Sequence, residues 1–194
     1  AGLQASSYFD VVEVTEQEVW AALKHAPSGK VPGLDGLPVE LYRRYKDVCV
    51  PLLTKLFTAI GRCARVPGGF LDGVISSLHK AGPKEVLGNY RPITLLNTDY
   101  RLLAKVLAYR LKAVQGRVVG PEQTAFLPGR HIGENIMLLQ LMPYALPADS
   151  HAVAVFCDFR KAYDTVSRAF LFKLLEAAGL GGGFLAWVKL MLTD

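Results

Sequence analysis

Cysteine is scarce in this chain. Cys49, Cys63 and Cys157 are scattered along 194 residues, and none forms a CxxC pair or a Cys/His cluster. Neither a disulfide framework nor a zinc site is implied, and a reducing interior is the easier setting. His25, His79, His131 and His151 are equally isolated. Each reads as a surface or packing histidine rather than a metal ligand. No apolar run approaches the length that spans a bilayer. The opening AGLQASSYFDVVEV has no basic leader and no long apolar segment, so no signal peptide is expected. The first residue is Ala, not Met, which leads us to expect a fragment or a processed product. There are no repeats, no low-complexity tract and no P-loop: SGKVPGLDG contains Gly-Lys but not the GxxxxGK[ST] spacing, which excludes a Walker-type nucleotidase. No two aspartates are adjacent anywhere in the chain.

What is present is apolar residue in quantity, 51% of the chain, enough to bury a core. The net charge of +5 is unevenly spread. Residues 1–60 hold six Lys/Arg against seven Asp/Glu, residues 61–131 hold eleven against four, and residues 132–194 hold five against six. All the excess positive charge lies in the middle third. Such a field attracts polyanions, nucleic acid or nucleotide phosphates, although a solvated face tuned for solubility has the same composition.

Local signals set out a mixed α+β pattern without regular βαβ alternation. Thr15-Glu16-Gln17-Glu18 is a capping box, with Val14 and Val19 placed for a hydrophobic staple. It opens a helix over about 16–25, ended by Pro27. SGKVPGLDGLP is a loop rich in turn formers, and Pro38 can start the next helix. Leu52, Leu53, Leu56, Phe57 and Ile60 make a helical stripe. GVISSLHK (73–80) and YRPITLL read as the two strands of a hairpin. A long helix follows from Asp99 to about Val114, with Leu102, Leu103, Val106, Leu107, Leu111 and Val114 on its apolar side. Arg101, Lys105 and Lys112 fall together on another face, since spacings of four and seven return to nearly the same azimuth. The loop PEQTAFLPGRHIGE precedes a helix ended by Pro143. HAVAVFCDF, apolar on both faces, reads as a central strand. Ser167 can cap a helix stopped by Gly179, and a last apolar helix follows Gly181-Gly182-Gly183.

Three stretches could carry chemistry. Asp158 falls near the C-terminal end of the expected strand, where sheets offer ligand crevices. A carboxylate there can hold Mg²⁺, which prefers oxygen ligands and often bridges to substrate phosphates; the plainer reading is a turn cap. Lys80, Lys84 and Arg91 sit on or near one hairpin. Lys is a mobile point charge suited to phosphate and Arg a planar fork that grips two oxygens, while a basic, solvated hairpin would look the same. The glycines of SGKVPGLDG allow close approach to a nucleic-acid backbone.

Taken in order, HKAGPKEVLGNYRPITLLNTDYRLLAKVLAYRL, PEQTAFLPGRHIGENI and AVFCDFRKAYDTV strongly resemble the reverse transcriptase of non-LTR (LINE-type) retrotransposons. SGKVPGLDGLPVELYR is similar to the N-terminal loop and helix of that family, so the resemblance covers nearly the whole chain. It implies a right-hand polymerase fold, incomplete here, with fingers and the fingers–palm connection over 1–150 and the start of the palm over 151–194. It implies RNA-directed DNA polymerase activity on an RNA template and a DNA primer with deoxynucleoside triphosphates, two Mg²⁺ ions in the complete enzyme, and no membrane. Nuclear action goes with the family, although no address is encoded.

The same resemblance assigns roles. Asp158 matches the first catalytic aspartate, a ligand of both Mg²⁺ ions, which activate the primer hydroxyl and neutralise the departing pyrophosphate. Phe159 lies beside it, with a backbone amide suited to the triphosphate and a place in the metal motif. Tyr163 matches the aromatic gate that clashes with a ribose 2′-hydroxyl, against the plain alternative of a core aromatic. Asp164 matches a structural acid, not a main metal ligand. Lys80 and Arg91 match residues on the triphosphate. Gln123 and Arg130 resemble positions near the template, with loop packing as competitor. Arg101, Lys105 and Lys112 are candidates for template phosphate or for a solvated helix face.

The aromatic-x-Asp-Asp hairpin and the Gly-Gln-rich segment of the family are missing from these residues. The isolated chain is therefore expected to have no polymerase activity and to expose apolar palm surface, with poor stability or aggregation as the result. Two other readings compete. One is a degenerate remnant that binds nucleic acid without catalysis. The other is an unrelated Mg²⁺-dependent phosphohydrolase using Asp158, for which a second acid cluster is wanting.

Overall fold

The Thr15 hydroxyl accepts the Glu18 amide at 3.2 Å, and the Glu18 carboxylate accepts the Thr15 amide at 2.9 Å. The capping box thus forms as its sequence predicts and starts α1 (Glu16–Lys24). Val14 and Val19 are both buried, as a staple requires. This start belongs to a computed structural model that describes residues 11–147, 151, 153–159 and 162–192. The chain divides into two units, Ala1–Arg110 with Phe172–Asp194, and Leu111–Leu171.

In the first unit, α2 (Val39–Arg44) follows Pro38, which stands at its N-cap, and α3 (Lys46–Cys63) follows directly. α3 buries Val50, Leu53, Phe57 and Ile60 and leaves Leu52 in solvent, so the apolar stripe is narrower than its leucines alone indicate. β1 (Gly73–His79) and β2 (Tyr90–Leu96) pair antiparallel, with Gly73 opposite Leu96 and His79 opposite Tyr90. α4 (Thr98–Lys112) then buries Leu102, Leu103, Val106 and Leu107. α9 (Gly182–Leu192) adds Phe184, Leu185 and Trp187, whose indole N–H donates to the Val12 carbonyl at 3.1 Å. Among the described residues every buried apolar side chain lies in this unit.

The Gly-rich loop 28–38 is docked rather than loose. The Asp35 amide donates to Asn97 Oδ1 at 3.3 Å, the Leu37 amide to Asp35 Oδ1 at 3.0 Å, and the Thr98 hydroxyl to the Leu37 carbonyl at 2.6 Å. Gly33 lies so close to Asn97 that an added Cβ would sit 2.7 Å from the Asn97 Cα. Gly33→Ala is therefore expected to destabilise the chain by about 1–3 kcal/mol, the usual scale of overpacking against backbone, which a thermal melt would show.

In the second unit, α5 (Gln115–Val118) is followed by the loop 119–131 and then α6 (Gly133–Ala145). α6 runs two residues past Pro143, where the sequence predicts its end. A proline this close to a helix C-terminus removes one amide from the ladder without forcing the final residues out of helical conformation. α7 (Ala162–Thr165) follows, and α8 (Arg168–Ala177) starts in this unit, its residues from Phe172 on belonging to the first. The Phe170 amide donates to Ser167 Oγ at 3.3 Å, and Gly179 takes a φ of 73°, so the expected cap and stop are both present.

HAVAVFCDF is the main correction. Its described residues form no strand, and Val153, Val155 and Phe156 are exposed. An apolar segment becomes a strand only when a neighbour takes its amides and carbonyls. Among the described residues the sheet consists of β1 and β2 alone. No helix among the described residues is long and apolar enough to cross a membrane.

Candidate nucleotide and nucleic-acid site

The ladder of the hairpin decides where its cations point. Arg91 is opposite Leu78, and Lys80 is two residues beyond Leu78. The Lys80 amide donates to the Asn89 carbonyl at 2.8 Å, which carries the ladder one step past β1. Side chains alternate faces along a strand, so Lys80 and Arg91 share one face as a diagonal pair, and such pairs lie about 7–8 Å apart. Both are exposed, and among the described residues neither has an acidic partner.

The opposite face braces them. His79 meets the Tyr90 ring edge-on at 5.2 Å, and His79 Nε2 lies 3.0 Å from the Gly82 carbonyl. The Tyr90 hydroxyl donates to the Lys84 carbonyl at 3.0 Å, and on the face of Lys80 itself the Asn89 side-chain amide donates to the Pro83 carbonyl at 2.8 Å. The turn is thereby fixed, and a two-pronged cationic grip stands on a ribbon open to solvent on both faces.

The α4 cations are engaged within the chain. The Lys105 ammonium donates to the His25 carbonyl, and it lies 5.7 Å from the Tyr109 ring centroid. Burial, with the nearby Arg43 guanidinium, pushes its pKa below the usual lysine value. Arg43 donates to the carbonyls of Leu23, Lys24 and Ala26, so Arg43 and Lys105 together close the C-terminal end of α1. Arg101 donates to the Thr98 hydroxyl at 3.0 Å. Arg101 and Lys105 also line a cavity of about 200 Å³ with Ala26, Pro27, Val39 and Thr98. Lys112, in the second unit, is exposed.

Arg130 and Gln123 hold their own loop. Arg130 donates to the carbonyls of Gly120, Gln123 and Val119, the last two at 2.7 and 3.1 Å, and the Gln123 amide donates to the Ala125 carbonyl at 3.0 Å. Sequence reading left template contact and loop packing open for these two, and loop packing is what the side chains visibly do.

Asp158 and Phe159 lie in the irregular, exposed segment 153–159, and Tyr163 is 93% exposed on α7. Asp164 is exposed in the same short helix, while the cap of α8 comes from Ser167. Among the described residues no group of three or more His, Cys, Asp or Glu comes together to hold a metal ion. Asp158 offers one carboxylate and Phe159 only backbone, so these residues do not by themselves fit a two-magnesium site.

Sequence reading missed Arg110, Asn97 and Phe126. Arg110 is buried on the apolar face of α4, four residues after Val106 and seven after Leu103, and that register was the available signal. Asn97 anchors the Gly-rich loop, which only tertiary structure reveals. Phe126 carries a φ of 64° and is 97% exposed, and no local pattern announces it.

Comparison with known proteins adds the family. Residues 78–193 match the model of the family described as reverse transcriptase (RNA-dependent DNA polymerase). The chain is 33% identical over 179 residues to the transposon TX1 uncharacterized 149 kDa protein of Xenopus laevis, an alignment covering 92% of the chain and 14% of that protein. It is 28% identical over 154 residues to the probable RNA-directed DNA polymerase from transposon BS of Drosophila melanogaster, covering 77% of the chain and 17% of that protein. Against the retrovirus-related Pol polyprotein from type-1 retrotransposable element R2 of Popillia japonica it is 27% identical over 183 residues, covering 93% and 24%. The chain thus spans a quarter or less of the length of these relatives.

Proposed function

This chain belongs to the reverse transcriptase (RNA-dependent DNA polymerase) family, and from that premise we propose that it forms the fingers and the opening of the palm in a retroelement polymerase. In this reading residues 1–150 are fingers and their connection to the palm, and 151–194 begin the palm, in a right-hand arrangement. The activity is template-directed transfer of deoxynucleotides to a primer 3′-hydroxyl, with RNA as template.

The observation that carries the proposal is the braced pair Lys80 and Arg91. Two exposed cations on one face, without acidic partners among the described residues, suit the charge of a triphosphate. Arg91 grips two oxygens through its fork, and Lys80 follows the remaining charge. The triphosphate of an incoming nucleotide is thereby held while its sugar and base stay free to meet the template. Tyr163 supports the same reading, because an exposed rigid ring can lie beneath a deoxyribose and clash with a 2′-hydroxyl. Asp158 contributes the one carboxylate of this chain toward chemistry at the primer end. A divalent metal goes with the family and would need ligands beyond Asp158, and Phe159 can add only its backbone. Gln123, Arg130, Arg101, Lys105 and Lys112 have a weaker claim on nucleic acid, because all but Lys112 are occupied in internal hydrogen bonds.

Titration with a fluorescent deoxynucleoside triphosphate tests the grip. Lys80→Ala and Arg91→Ala are each expected to weaken binding about 10- to 100-fold, the range of a hydrogen bond to a charged group. Both variants should melt as the parent does, since neither side chain is buried. Unchanged affinity in the double variant would remove the hairpin from the site.

A further inference from the structure

Phe126 is unusual in two independent ways. Its ring is 97% exposed, and its backbone lies at φ 64°, a conformation bulky side chains rarely adopt because Cβ crowds the neighbouring carbonyl. Among the described residues Ala64 is the other non-glycine at positive φ, and it closes α3, where left-handed caps are common. Phe126 closes no helix. It lies inside a loop held by side-chain hydrogen bonds. Arg130 ties together the carbonyls of Val119, Gly120 and Gln123, Gln123 holds Ala125, and Thr124 is buried two residues before the ring.

Among the described residues the Phe126 ring is left almost bare. The ring buries almost no area, and glycine would occupy the same backbone without crowding. Other apolar residues of this unit are exposed too, but Ile136, Met137 and Leu138 sit on ordinary helical backbone. At Phe126 a strained backbone and an unpacked aromatic coincide, and strain of that kind collects at ligand-binding positions.

The surroundings indicate the ligand. Leu127 and Pro128, the next residues, line a hollow of about 260 Å³ with Lys112, Gln115, Gly116 and Arg130. Its walls carry two cations and no acid. A rigid exposed ring beside a cationic hollow suits one nucleic-acid strand, with a base on the ring and phosphate near the cations. An apolar protein segment matches this surface less well, because it would leave the exposed Lys112 ammonium facing apolar atoms.

We propose that Phe126 is a stacking platform for an unpaired base of single-stranded nucleic acid, with Lys112 beside the phosphates of that strand. The proposal rests on the polymerase reading, since a copying enzyme must hold a strand whose bases are not yet paired. Single-stranded RNA and single-stranded DNA share the chemistry, and the test separates them.

The 194-residue chain is titrated against a short oligoribonucleotide carrying 2-aminopurine, its DNA counterpart and a blunt duplex. Stacking on the ring should quench the 2-aminopurine in single strands. Phe126→Ala is expected to weaken single-strand binding about 5- to 100-fold, the range for one base on one aromatic, and to abolish the quenching. Phe126→Trp and Phe126→Tyr should retain both, Phe126→Leu neither, and duplex binding should not change. Phe126→Gly relieves the backbone, so its thermal midpoint should equal or exceed the parent's while binding falls as in Phe126→Ala. A loss confined to RNA assigns the platform to a template, and one confined to DNA assigns it to a primer strand. Parent-like single-strand binding by Phe126→Ala or Phe126→Leu overturns the platform, and if triphosphate binding through Lys80 and Arg91 persists, the polymerase reading survives it. A parent chain that binds neither triphosphate nor single strands overturns both.

Discussion

Replacing Arg110 by Met is expected to leave the chain unfolded or nearly so at ordinary temperature. Arg110 is 4% exposed, and it spends its guanidinium on four bonds. Nε donates to Glu18 Oε1 at 2.6 Å and Nη2 to Glu18 Oε2 at 2.9 Å, a bidentate pair. Nη1 donates to the Val11 carbonyl at 2.8 Å and Nη2 to the Glu13 carbonyl at 2.5 Å. One side chain thus joins α4, the first turn of α1 and the segment that leads into it. Removing it leaves the Glu18 charge unneutralised, held only by the amide and hydroxyl of Thr15, and two carbonyls without this donor in a partly buried place. Breaking one side of such a pair costs about 3–5 kcal/mol, a large share of the roughly 5–15 kcal/mol that holds a domain together. Chemical denaturation followed by circular dichroism would measure the loss.

The same contact carries a pH dependence. Burial alone would raise the Glu18 pKa, but the hydrogen bonds and charge of Arg110, with the amide and hydroxyl of Thr15, outweigh it and hold the carboxyl below its ordinary value. A carboxyl depressed on folding contributes stability that is full above its unfolded pKa. That contribution is lost as pH falls through the lower folded value. The parent should therefore soften on the acid side of the carboxylate range. Glu18→Gln should flatten that part of the profile at a lower overall stability.

Asp158→Asn carries the largest expected effect on activity. The amide matches the carboxylate in size and removes its charge. Asp158 is exposed on an irregular segment, so no core is disturbed and the fold should be unaffected. In a polypeptide where this chain is joined to the downstream region of one of its relatives, RNA-templated incorporation of deoxynucleotides should fall by three orders of magnitude or more. Losing a single charge-stabilising group at a reacting centre costs about 10²–10³-fold, and a reactive carboxylate should cost no less. Triphosphate binding through Lys80 and Arg91 should stay within a factor of about two, which separates a chemical role from a positional one. A variant that incorporates at the parent rate would remove Asp158 from the chemistry.

Much of the fold was legible because its signals are local. The capping box at Thr15, the turn between β1 and β2, the Ser167 cap and the Gly179 stop each depend on residues within a few positions of one another. The family was legible as well, because NYRPI and FCDFRKAYD combine in order, and the match over residues 78–193 agrees. What escaped was tertiary. HAVAVFCDF has the composition of a buried strand, but a strand exists only with a partner beside it. From sequence Lys105 is a candidate for template phosphate or for a solvated face, but its ammonium is taken up by the carbonyl at the end of α1. Arg110 interrupted an apolar stripe that periodicity alone would have counted as broken. The left-handed backbone of Phe126 lies in a loop that Arg130, four residues ahead, ties together through carbonyls distant in sequence from the ring.

The central claim is that this chain supplies the nucleotide grip and one acid of an RNA-copying polymerase. Primer extension on an RNA template, with deoxynucleotides and Mg²⁺, tests it most directly when the chain is assayed alone and joined to the downstream region of a relative. The account predicts incorporation by the joined polypeptide, loss of it with Asp158→Asn, and none by the chain alone. Salt-sensitive RNA binding by the joined polypeptide without any incorporation would contradict it, and would make the chain a nucleic-acid-binding remnant.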